Sequence, residues 1–185
     1  MHQLAQNRWY ALQCRAGREA AISQILQAKG YDNYLPTYPL TDPSRLAGKA
    51  LFPGYIFCRM RERPSALVVT TPGVVRFVGI GKSASAIPDY EIEAIDRLVA
   101  SGLNLSPQAF MTSGQRIVVT AGPLQGLTGV LISVGKRHRL IVSVDLLMRS
   151  ISAEVDIHDV EIEKTDGTLR PPSYHATITD LRPKH

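Results

Sequence analysis

The chain has 185 residues, 44% of them hydrophobic, with 21 Lys plus Arg against 16 Asp plus Glu for a net charge of +5. That length holds one or two small domains with modest cores, and the mild positive balance favours an acidic partner such as nucleic acid without requiring one. No apolar run approaches the ~18 residues of a membrane span, and the N-terminus lacks the basic-then-apolar pattern of a signal peptide. Cys14 and Cys58, far apart in apolar runs, give neither a disulfide framework nor a zinc site and point to a reducing cytoplasm.

In chain order, the aromatic-containing run Trp9–Cys14 predicts a strand ended by Gly17. Ala21, Ile22, Ile25 and Leu26 recur at helical spacing over residues 18–29, and Gly30 stops the helix. Residues 33–38 are extended, because the position before Pro36 is pushed out of the α region. Residues 51–60 have strand composition after Pro53-Gly54, residues 64–70 predict a short helix, and residues 74–78 another strand. Asp89–Ala100 predicts a helix with Ile92, Ile95, Leu98 and Val99 on one face. Residues 101–113 carry no charge and contain Ser, Gly and Pro, which predicts a linker. Beyond it, residues 115–120, 129–134, 140–144 and 153–157 are short Val/Ile-rich strands about ten residues apart, the rhythm of a small β-barrel.

The expected organisation is therefore an α+β protein. Residues 1–100 form an α/β sandwich, an antiparallel sheet flanked by helices; 101–113 form the linker; 114–164 form a small SH3-like barrel; and 165–185 form a loosely ordered, Pro-containing tail.

Catalytic signals are absent: there is no Gly-rich phosphate loop, no HExxH and no GxSxG, and the five histidines are scattered without metal spacing. Neither catalysis nor a cofactor or metal is expected. Asp156, Asp159, Glu161 and Glu163 read as a solvated strand edge.

One pattern in the second segment is specific. Residues 114–131 run from an alternating strand into Gly122-Pro123-Leu124, then Gly126 and Gly129. Gly122 and Gly126 mark where a turn requires positive φ or close backbone approach, and Leu124 is placed to cap the barrel. This pattern resembles a KOW motif. In the first segment, Trp9-Tyr10-Ala11-Leu12, Tyr34-Leu35-Pro36, residues 51–57 (LFPGYIF), residues 71–79 (TPGVVRFVG) and Ile87-Pro88 occur in an order that resembles the N-terminal domain of the NusG family of transcription elongation factors. Together the two resemblances cover about residues 8–163. The compact stretch 41–50, residues 71–78 and residues 142–150 are most similar to specialised paralogues of the UpxY and RfaH type.

The resemblance implies an N-terminal domain that binds the clamp helices of RNA polymerase through an apolar patch and suppresses pausing. The patch falls here on Phe52, Pro53, Tyr55, Phe57 and Phe77. Strand alternation sets Phe52 with Ile56 on one face and Tyr55 with Phe57 on the other; one face must be core, so each aromatic is either contact or core. The hydroxyl of Tyr55 favours a wet end. Contact with non-template DNA or nascent RNA falls on Arg15, Arg18, Thr71 and Arg76, although Ala21, Ile25 and Ala28 stand where RfaH-type factors carry helical basic residues. A stretch at Arg63–Ala66 lacks the residues that touch the opposite pincer in such factors. The barrel's partner loop, for a small-subunit ribosomal protein or Rho, falls on Leu146, Leu147, Met148 and Arg149. Lys136, Arg137 and Arg139 lie on a hairpin and are either an RNA contact or a charged turn. The Val/Ile alternation favours β structure throughout the barrel. The implied factor is a cytoplasmic monomer with no membrane partner, acting in elongation and antitermination; the alternatives are a general Rho-coupled factor, or an RNA- or ribosome-binding KOW protein without a polymerase role.

Overall fold

The computed structural model describes residues 7–39, 48–60, 65–81, 83–111, 113–134 and 137–163. The expected tail at 165–185, most of the 41–50 stretch, Arg63, Pro64 and Lys136 lie outside them.

The elements are β1 (Arg8–Cys14), α1 (Glu19–Ala28), β2 (Asp32–Tyr34), β3 (Thr37–Tyr38), β4 (Lys49–Ala50), β5 (Tyr55–Met60), α2 (Ala66–Val69), β6 (Val74–Phe77), β7 (Gly79–Ile80), β8 (Ser83–Ala84), β9 (Ala86–Ile87) and α3 (Asp89–Ala100). They continue with β10 (Leu105–Ala109), β11 (Gln115–Val119), β12 (Thr128–Val134), β13 (Arg137–Val144), β14 (Arg149–Val155) and β15 (Val160–Ile162). No helix among the described residues is long and apolar enough to cross a membrane.

The first sheet runs β2-β5-β1-β6, with β9 also pairing with β1. Its β1–β5 ladder is antiparallel from Arg8↔Met60 to Gln13↔Tyr55. Helices cover both faces. One face buries Tyr10, Leu12, Ile56 and Cys58 with Ile22 and Leu26 of α1 and Val68 of α2. The other buries Ala11 and Phe57 with Leu51, Phe52 and the α3 residues Ile92, Ile95 and Leu98. The second sheet, the barrel, is antiparallel in the order β10-β14-β13-β12-β11-β15. Its interior holds Ile117, Val119, Leu140, Val142 and Ile151, and these residues belong to the same continuous core as α3 and Phe57.

Two expectations change here. The uncharged stretch read as a linker contains β10, paired with β14 from Leu105↔Ala153 to Ala109↔Arg149. Lack of charge does not prevent pairing, and an edge strand tolerates Pro107, whose missing N–H can face away from the ladder. The strand expected after Pro53-Gly54 does begin at Tyr55, and residues 51–54 turn, with Tyr55 N–H donating to the Phe52 carbonyl at 3.0 Å. Phe52 therefore does not share a strand face with Ile56; it packs edge-to-face on Phe57 at 5.5 Å.

Gly129 lies within β12, where an added Cβ would strike the Ile141 carbonyl and sit 2.6 Å from Leu140 Cδ1. Gly129→Ala is expected to force β12 and β13 apart and to cost about 1–3 kcal/mol, the usual range for overpacking. Thermal denaturation checks this; an unchanged midpoint would contradict the close approach.

Candidate functional site

The aromatic patch forms where β1, β2 and β5 present the α3 face of the sheet. Trp9 and Tyr34 meet edge-on at 6.4 Å, and Tyr34 leans on Phe57 at 6.4 Å. The Arg59 guanidinium lies 5.6 Å over the Trp9 ring, a cation–π contact across the β1–β5 ladder. Trp9, Tyr34 and Tyr55 are half-buried, and Pro53 is exposed.

Phe52 and Phe57 are fully buried, so both are core and neither is a contact. Their reason is geometric: with helices on both faces of the sheet, a large aromatic pointing to either side is covered. Phe77 is not part of this patch. It lies on the α1 side, edge-to-face with Tyr10 at 6.2 Å. The sequence reading missed Trp9 and Tyr34 as site residues, although both stand in strands beside the aromatic run, Tyr34 opposite Phe57 in register.

Next to the patch, Trp9, Asp32, Tyr34, Arg59, Glu93 and Asp96 line a groove of about 380 Å³. Burial pushes the Tyr34 hydroxyl well above its ordinary pKa, and the neighbouring Asp96 carboxylate raises it further. This phenol stays neutral at any physiological pH.

A second groove, about 240 Å³, is lined by Arg15, Arg18, Ala21, Ile22, Ile25, Pro72 and Gly73. Arg15 and Arg18 are exposed, and the Arg15 amide donates to the Gly73 carbonyl at 2.9 Å. Arg76 is exposed and donates to Gln13 Oε1 at 2.8 Å. Thr71 does not belong to a contact surface: it is 1% exposed, and its Oγ1 accepts from Lys29 Nζ at 2.9 Å. A short polar side chain before Pro-Gly is as well suited to tying down a turn as to meeting a phosphate, and here it does the former.

In the barrel, Gly122 and Gly126 have φ of 77° and 85°, and the Gly126 amide donates to the Val119 carbonyl at 2.7 Å, closing the turn over buried Leu124. Gly129 belongs to β12 rather than the turn, while Pro123 is exposed. In the loop after β13, Leu147 is buried core, because the tight turn Asp145–Leu147 points it inward. Leu146 is half-buried, and Arg149 and Met148 are exposed. Met148 is 56% exposed at φ 48°, a left-handed conformation rarely adopted by a side chain of its size. Arg137 is ion-paired with Glu154 at 3.2 Å, and Arg139 is half-buried, so these two are no pair of free surface cations.

No group of three His, Cys, Asp or Glu side chains among the described residues is placed to hold a metal. Burial pushes the Cys14 and Cys58 thiols up to about 12, Glu19 and Asp32 adding respectively, so neither supplies a thiolate nucleophile.

Glu19 fixes the turn that carries Pro53. Its buried carboxylate accepts from the Gly54 amide at 2.7 Å, linking α1 to the start of β5. Glu19→Ala leaves that amide unpaired and is expected to cost about 1–3 kcal/mol, read by chemical denaturation; an unchanged midpoint would contradict this link.

A family model described as "Transcription termination factor nusG" matches residues 7–96. The transcription termination/antitermination protein NusG of Buchnera aphidicola subsp. Acyrthosiphon pisum is 31% identical over 180 residues, covering 87% of this chain and 99% of that protein. The protein of the same name from Thermus thermophilus is 27% identical over 179 residues, covering 82% and 96%. A solved structure described as "Domain interaction in Thermotoga maritima NusG" superposes with a TM-score of 0.58 at 20% identity, covering 86% of this chain and 98% of that one; it speaks for the fold.

Proposed function

The chain belongs to the NusG family of transcription factors, and we propose that it acts in elongation and antitermination by binding the clamp helices of RNA polymerase through the surface around Trp9, Tyr34, Pro53 and Tyr55. The observation that carries this reading is the aromatic strip that β1, β2 and β5 present on the α3 face of the sheet. Trp9 and Tyr34 lock edge-on and half-buried, over a floor made by Phe57 and Phe52. Rigid aromatics over a close-packed floor lose little entropy on docking, and this is the usual composition of a binding hot spot. Phe52 and Phe57 support the patch from below.

Arg15 and Arg18 flank a groove beside the Pro72-Gly73 turn and supply the cations for a nucleic-acid phosphate, on non-template DNA or nascent RNA. Arg76, exposed on the neighbouring strand, extends that charge. In the barrel, Leu146, Met148 and Arg149 form the surface for a second partner, a small-subunit ribosomal protein. The left-handed Met148 holds an apolar side chain in solvent, which costs backbone energy and is repaid by a partner that covers it. The mechanism is binding throughout, with no bond made or broken.

A second reading has its own support. The curated relatives carry the name termination/antitermination protein, and nearly their whole length is aligned. A general factor coupled to Rho therefore competes with a specialised antiterminator. Adding Rho to a termination assay separates them: more termination with the protein present favours the general factor, and less favours the antiterminator.

Tyr55→Ala is expected to weaken binding to purified polymerase core by about thirtyfold, the effect of losing a ~2 kcal/mol hot spot. Val75→Ala, on an exposed strand position outside the patch, is the control and leaves affinity unchanged. Unchanged affinity for a folded Tyr55→Ala protein would contradict the patch assignment.

A further inference from the structure

The groove beside the aromatic strip carries charge that polymerase binding leaves unexplained. Asp32 of β2 and Asp89, Glu93 and Asp96 of α3 line it together with Trp9 and Tyr34, and all four acids are exposed. Among the described residues Arg59 is the one cation in the lining, which therefore holds three more negative than positive charges on a chain of net charge +5. The ion pairs found among the described residues, Arg116–Glu163 and Arg137–Glu154, belong to the barrel. Arg97, which follows Asp96 on α3, is held by the Gln125 carbonyl.

The acids are ordered. Residues at i, i+4 and i+7 share one face of a helix, and Asp89, Glu93 and Asp96 have that spacing. Successive members of such a stripe are about 5–6 Å apart. They run along the groove and do not converge: no three His, Cys, Asp or Glu side chains among the described residues are placed to hold a metal ion.

The other wall is aromatic, with Trp9 and Tyr34 meeting edge-on at 6.4 Å. The Arg59 guanidinium, 5.6 Å over the Trp9 ring, shows that this wall already holds a cation. Tyr34 Oη lies buried beside the Asp96 carboxylate, without a partner at full hydrogen-bonding distance among the described residues. A buried hydroxyl left in that state calls for a hydrogen-bonding group from outside the chain.

We propose that this groove binds a linear aliphatic polyamine, whose ammonium groups pair with Asp89, Glu93 and Asp96 while its methylenes lie against Trp9 and Tyr34.

The shape and the charge select this class of ligand. Amines joined by three or four methylenes repeat at about the spacing of a one-turn carboxylate stripe, roughly 5–6 Å. A groove of about 380 Å³ has room for such a chain lying along α3. A single ammonium or guanidinium would engage one carboxylate and leave the rest of the stripe uncompensated, and a nucleic-acid phosphate would be repelled by it. Each exposed ion pair is weak alone. Three in register, together with methylenes covered by aromatic rings and cation–π attraction, add to a specific site. The site goes beyond the proposed function: its ligand is a small molecule, and it covers Trp9 and Tyr34, which that reading assigns to polymerase.

Tryptophan occurs once in the chain, so intrinsic emission reports Trp9 alone. The full-length protein is titrated with spermidine at constant ionic strength, with emission and heat of binding followed together. The expected result is a saturable change in Trp9 emission that tracks the heat, with no such change for magnesium chloride at the same ionic strength. Putrescine, with one amine fewer, is expected to bind more weakly. Glu93→Gln and Asp96→Asn are each expected to weaken spermidine binding about threefold, the worth of an exposed ion pair, and about tenfold together. Glu161→Gln, on exposed β15 of the barrel, leaves the affinity unchanged. Absence of saturable binding, heat without a Trp9 response, an equal response to magnesium, or unchanged affinity in the folded double variant would each overturn the proposal. Should the double variant fail to fold, unchanged affinity in Glu93→Gln alone overturns it. None of these readouts uses polymerase, so failure of this site and failure of the polymerase reading are separate results.

Discussion

Helix α3 must satisfy two neighbours at once, and the rest of the structure depends on that. An amphipathic helix ordinarily presents one apolar stripe and one wet face. Here Ile95 and Leu98 are wholly buried, Ile92 packs toward Trp9 and Tyr34, and Ala94 packs toward Leu127 and Val142. The first sheet and the barrel consequently share one continuous core running from Phe57 through α3 to Ile151. The seam is also the place where the packing is least comfortable, because it takes in Glu91 with an unpaired oxygen.

The candidate contact surfaces sit around this arrangement rather than inside it. The aromatic strip lies on the sheet face beside α3, the basic groove lies near the α1 side at Pro72-Gly73, and Met148 projects from the barrel. Each surface is held by something rigid and buried. Phe52 and Phe57 underlie the strip, Glu19 ties down the Gly54 turn, and Leu147 anchors the loop that exposes Met148. A division of labour follows: buried residues keep each surface in shape, some beside it in sequence, as Leu147 is to Met148, and some from far away, as Glu19 is to Gly54.

That division explains what was legible in the sequence. Helix α3 was readable to its ends, because Pro88 and Asp89 start it and its apolar periodicity is clear. Strands β11, β12 and β13 were readable from Val/Ile alternation and glycine punctuation, whereas the strand expected over 153–157 runs Arg149–Val155 and β15 was not expected. The family, too, was legible, from the ordered phrases around Trp9, Phe52–Phe57 and Thr71–Gly79. The identity of the contact residues was not. Alternation along β5 separates two faces, but it cannot say which is wet when helices cover both, so Phe57 stood open as contact or core and only the Tyr55 hydroxyl argued for a wet end. Thr71 and Leu147 were misplaced for a related reason: a tight turn sets a side chain's direction, and turn geometry is not periodic. Strand β10 was missed because a neutral Ser/Pro stretch reads as a connector until its partner β14 is known.

The central claim is that this NusG-family chain engages RNA polymerase through the aromatic strip beside α3. Its most direct test is site-specific photo-cross-linking from position 55 in a reconstituted elongation complex, with the cross-linked peptide identified by mass spectrometry. The account expects the cross-link to map to the polymerase clamp helices. A cross-link that maps elsewhere on the polymerase, or that forms only with ribosomal protein, would contradict it.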